Sequence, residues 1–217
     1  MRQPIVLALV GVLLGAPALV GAVDQQIDDP TLAQAVSVAR QSDSAVSAFH
    51  ARYTIALGDP TYDRVELISE YRRAVMTAEE HLKLREVWDV SKARTALAPY
   101  RGVVSFVLWI KFPPQNTLLQ PPLRPLPNYE MVVYPKGIPP PPAKPEMLRL
   151  TASSQTMLFS AGGGTFPVAG PGAAMSGVRI EATTSASSVD LSGRCVVGIW
   201  LDGKEQRQSA FNLGSLR

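Results

Sequence analysis

Apolar residues alternate most clearly after Gly102, where Val104, Phe106, Leu108, Ile110 and Phe112 share one face. Ser105 and Lys111 mark the other face, with Val107 and Trp109 between them. Both faces carry bulk, so the spacing predicts a central strand covered on both sides or nearly so. A second alternating run, Phe49, Ala51, Tyr53, Ile55 and Leu57, also reads as a strand, ended by the turn residues Gly58-Asp59-Pro60.

Helical spacing appears in three places. Asp29-Pro30 supplies a cap and a first-turn proline, with Leu32, Val36 and Ala39 following on one face and the helix fraying near Ser42-Asp43-Ser44. From Arg64 to Leu84 the pattern fits either period at first: Leu67, Tyr71, Ala74, Ala78 and Leu82 suit a helix, while Val65, Leu67, Tyr71 and Val75 suit one side of a strand. From Thr77 onward the Ala, Glu, Leu and Lys content predicts helix. A shorter helical piece runs from Ser91 to about Pro99.

The C-terminal part reads as short strands at Met147–Ala152, Thr156–Ser160, Val178–Thr183, Cys195–Leu201 and Lys204–Phe211. Asp202-Gly203 predicts a two-residue hairpin turn of type I′. Gly162-Gly163-Gly164 and Gly170-Pro171-Gly172 read as loops. The segment 113–145 is rich in proline and excludes helix and central strand except around Tyr129–Tyr134. Its run Pro139–Pro142 predicts an extended, stiff polyproline II piece. Together these elements predict an α+β fold, with N-terminal helices and a mainly antiparallel β-sandwich-like body. Residues 23–217 read as one domain with a proline-rich surface segment.

Residues 1–22 read as a secretory signal peptide: Arg2, an apolar run from Ile5 to Leu14, and Val20-Gly21-Ala22 before the expected cut at Val23. This predicts a periplasmic or secreted protein of a bacterial envelope. If the segment stays attached, the chain is instead a membrane-tethered extracytoplasmic domain. The full chain of 217 residues carries a net charge of +3 without any run of Lys or Arg, so nucleic acid is not an expected partner. Cys195 is the only cysteine, so no internal disulfide forms. It lies in an apolar run and reads as a buried strand thiol, with a reactive or intermolecular role as the sharper alternative.

Candidate chemistry is sparse. His50 and His81 are the only histidines. The cluster Glu79-Glu80-His81 cannot chelate as a unit on a helix, and Glu79 is placed to pair with Lys83 four residues on. No metal-ligand pattern, nucleophile elbow or phosphate loop is present, so no cofactor or metal is expected. Pro121–Pro127 resembles a proline-rich groove ligand but reads as a stiff surface arm. Tyr71-Arg72-Arg73 and Tyr53, with Trp88, Trp109 and Trp200, could line an aromatic groove; Trp109 and Trp200 fall in strands and are expected in the core, while Trp88 is the candidate for exposure. The binding candidates are therefore Trp88, Tyr71, Arg72, Arg73 and His81. The expected function is a non-catalytic binding or structural module that contacts envelope proteins. The alternative is a small exported hydrolase using His50 or His81, which requires a histidine in a concavity beside a Ser, Asp or Glu.

Overall fold

The computed structural model describes residues 27–112, 128–161, 164–166, 174–189 and 193–216. The expected signal segment, Pro121–Pro127, Gly162-Gly163 and Gly170-Pro171-Gly172 lie outside them. Four helices occupy the N-terminal part, and each starts at a capping side chain. Asp28, one residue before the expected cap, accepts from the Thr31 N–H at 2.9 Å and opens α1 (Asp29–Ala39). Ser42 opens α2 (Asp43–Ala51), Ser69 opens α3 (Glu70–Lys83) and Asp89 opens α4 (Val90–Leu97).

Two of these starts correct the sequence reading. The alternation from Phe49 is not strand at its beginning. Val46 and Phe49 are buried on one face of α2, and the strand β1 is confined to Thr54–Ala56. Residues 64–77 are divided rather than uniform: β2 (Tyr62–Ile68) runs to Ser69, whose hydroxyl accepts from the Arg72 N–H at 3.2 Å and starts α3 well before Thr77.

The sandwich is α+β in the expected sense, with two antiparallel sheets and the helices beside them. After β3 (Val103–Lys111) come β4 (Tyr129–Tyr134), β5 (Leu148–Leu150), β6 (Ala152–Ala161), β7 (Gly164–Phe166), β8 (Ala174–Ser185), β9 (Arg194–Leu201) and β10 (Lys204–Asn212). One sheet has the order β1-β2-β3-β8-β6-β7 and the other β10-β9-β4-β5. The chain switches sheets at Thr151, the one residue between β5 and β6. Asp202 and Gly203 adopt φ 49° and 76°, the left-handed values a type I′ hairpin needs. Pro139–Pro142 departs from a uniform extended run: a turn closes from the Pro140 carbonyl to the Ala143 N–H at 3.3 Å, and the Pro141-Pro142 bond is cis.

The inner faces meet in a continuous apolar core. Phe106 and Leu108 from the larger sheet, Met131, Val197 and Phe211 from the smaller one, and Leu32, Val75 and Leu97 from the helices all belong to it. Phe106 and Phe211 meet edge to face across the two sheets with centroids 6.4 Å apart. Cys195 lies fully buried in this core. Asp59, in the expected turn, accepts from the Thr61 and Tyr62 N–H groups and takes Arg207 Nη2 at 2.7 Å, which pins β10 of one sheet to the other. No helix among the described residues is long and apolar enough to cross a membrane.

Candidate functional site

His50 comes from the last turn of α2 and faces α3. Its Nε2 lies 2.6 Å from Glu79 Oε2, and Arg72 Nε donates to its Nδ1 at 3.4 Å. A guanidinium N–H only donates, so Nδ1 is the acceptor and the neutral ring carries its proton on Nε2, facing Glu79. Both ring nitrogens are thus engaged. The pair borders a 420 Å³ hollow lined by His50, Arg72, Met76, Glu79, Glu80 and Lys83, none of which is a Ser, Thr or Cys nucleophile. Glu79, expected to pair with Lys83 on its own helix, instead reaches across to α2.

The candidate aromatic groove does not assemble. Tyr71, Arg72 and Arg73 are consecutive on α3 and point to three environments, as helical spacing requires. Tyr71 packs edge-on against Phe49, with centroids 5.9 Å apart. Arg72 is buried: Nη1 donates to the Leu67 carbonyl at 2.8 Å and Nη2 to Glu66 Oε2 at 2.8 Å. Arg73 reaches the outer face of the larger sheet, donating to Ser105 Oγ at 2.8 Å and Glu181 Oε1 at 3.2 Å. Trp88, the candidate for exposure, is only 4% exposed and stacks on His81 at 3.8 Å, with His81 Nδ1 2.5 Å from Glu86. Conversely, Trp109 and Trp200, expected in the core, lie half-buried on the outer faces. Arg149 sits over the Trp200 ring at 4.9 Å.

A larger concavity than the histidine hollow lies elsewhere, at Trp109. Cross-strand register sets Arg64, Trp109, Arg179 and Thr156 in one row across β2, β3, β8 and β6. The Arg64 guanidinium lies 4.1 Å from the Trp109 ring centroid, and that of Arg179 lies 5.8 Å away. In the next row Lys111 and Leu158 flank Gly177, which contributes no side chain between them. Here β8 presses so closely on β3 that a Cβ at Gly177 would collide with the Ile110 carbonyl oxygen. An 820 Å³ cleft opens on this face, lined by Asp63, Arg64, Trp109, Lys111, Phe112, Thr156, Leu158, Ser176 and Arg179 among others.

The cleft is rich in donors. Asp63 is its lining carboxylate, and it is held by Arg64 and Lys111; burial raises its pKa, but these two cations outweigh burial and leave it below the ordinary value. Beneath the row, Glu66 bridges Arg64 and Arg72, while Glu181 bridges Arg179 and Arg73. For both glutamates burial pushes the pKa up and the arginines bring it lower than usual. Five cations thus face three carboxylates, an excess of two positive charges. Trp109 Nε1 and Ser176 Oγ are buried and have no hydrogen-bond partner among the described residues. No group of three or more His, Cys, Asp or Glu among the described residues is placed to hold a metal.

Comparison of the chain with protein-family models, with curated proteins and with solved structures found no match in any of the three.

Proposed function

We propose that this chain is an exported, non-catalytic binding protein of the cell envelope that offers the Trp109 cleft to its ligand. The observation that carries this reading is the contrast between the two concavities. The histidine hollow has its ring nitrogens engaged and no Ser, Thr or Cys among the described residues that line it, whereas the cleft is larger and lined by donors and apolar groups, the composition of a small-molecule site. Arg2, the apolar run Ile5–Leu14 and the small residues before Val23 support export.

One specific observation favours the second reading, a small hydrolase: His50 does stand beside a carboxylate in a hollow. Chromogenic ester, phosphodiester and peptide substrates separate the two. The protein and its His50→Gln variant are expected to show the same background rate. Turnover that depends on His50 contradicts the binding-protein reading. For export, the intact mass in the periplasm or medium is expected to begin at Val23; a full-length mass in the membrane fraction favours a tethered domain instead.

A further inference from the structure

We propose that the cleft around Trp109 binds a small organic carboxylate with an apolar body. This rests on reading the chain as a binding protein and adds the chemical class of its ligand. The polar half of the argument is the surplus of donors. Arg64 commits Nε and Nη1 to Glu66 and Asp63, and Arg179 commits Nη2 to Glu181. The remaining guanidinium N–H groups belong to side chains that line the cleft, as do Trp109 and Ser176, whose Nε1 and Oγ are unpartnered among the described residues. Donors in such number, with the lining carboxylate already held by two cations, select a ligand that brings acceptors and negative charge. A carboxylate's two oxygens match the planar fork of an arginine.

The apolar half comes from Leu158, Phe112 and the Trp109 ring, which line the same cleft. A bare inorganic anion leaves these surfaces uncovered, while an alkyl or aromatic body removes them from water. The volume of 820 Å³ falls within the range of about 300–1,000 Å³ usual for small-molecule sites.

Calorimetric titration with octanoate, octanamide and inorganic phosphate tests the assignment. Octanoate is expected to saturate a single site at least about tenfold more tightly than octanamide, and phosphate to bind more weakly than either. Arg179→Gln is expected to bring octanoate down to the affinity of octanamide while leaving octanamide unchanged. Lys111→Gln, at an exposed position, is expected to weaken octanoate a few-fold, and Arg149→Gln on the opposite sheet to leave it unaltered. Equal binding of acid and amide, phosphate as tight as octanoate, an unaffected Arg179→Gln variant, or no saturable octanoate binding each overturns the proposal. The broader reading fails by a different observation, turnover that depends on His50.

Discussion

Arg72 Nη2 lies 2.8 Å from Glu66 Oε2, and both residues are buried, 4% and 9% exposed. The guanidinium joins three elements at once, since it also donates to the Leu67 carbonyl of β2 and to His50 of α2. A buried charge that loses its partner costs more than the pair contributes, because the survivor stays desolvated. Arg72→Met is therefore expected to destabilise the fold by about 3–5 kcal/mol. Arg149→Met, which breaks the exposed pair with Glu130, is expected to cost under ~1 kcal/mol. Urea unfolding of the two variants measures both.

The same carboxylates set the acid response. Glu66 and Glu181 have pKa values below the ordinary 4.5, so the unfolded chain binds protons that the folded chain refuses. Their contribution is complete above that value and is lost as pH falls through their lower folded values. Asp59, held down to about 2 by its hydrogen bonds from Arg207, Thr61 and Tyr62, acts in the same direction. Glu70 opposes them: burial raises its pKa, so its contribution favours the acid side. Unfolding free energy is expected to fall steadily below about pH 4.5, and the fall is expected to be shallower in Arg72→Met, where Glu66 has lost one of its two cations. Denaturant melts at about pH 6 and about pH 3 give both slopes.

Gly177 is the position where a single methyl group is expected to matter most in the cleft wall. A Cβ there meets the backbone of Ile110 rather than a yielding side-chain tip, so β3 and β8 must part to admit it. Gly177→Ala is expected to lower stability by about 1–3 kcal/mol, as forced overpacking does, and to loosen the Trp109 row with it. Thermal unfolding near its midpoint, where 1 kcal/mol corresponds to roughly 2–4 °C at this chain length, reports the loss.

Local signals made much of the sheet body legible. The period-two face of Val104 to Ile110, the strands around Ile180 and Val197, and the Asp202-Gly203 hairpin all carry their geometry in adjacent residues. The α2 region was harder, because Phe49 and Tyr53 satisfy helical and strand spacing together, and Ser42 decides between them by capping. Ser69 similarly divides β2 from α3 at one point inside an ambiguous run. The cleft was least legible. Arg64, Trp109 and Arg179 come from distant stretches, and only cross-strand register sets them side by side. A partial signal was present: Arg64 and Glu66, like Arg179 and Glu181, are charged at every second position, which marks one face of a strand as polar. Trp109 shares that face with Ser105 and Lys111, and this placed it outside the core despite its apolar ring.

The indole N–H signals of the protein's three tryptophans test the central claim most directly. In an amide-proton correlation spectrum titrated with octanoate, the Trp109 signal, identified by its loss in Trp109→Phe, is expected to move saturably. The Trp88 signal, from a ring buried against His81, is expected to stay in place. A stationary Trp109 signal, with the changes gathered instead around His50 and Glu79, contradicts the assignment of the cleft as the binding site.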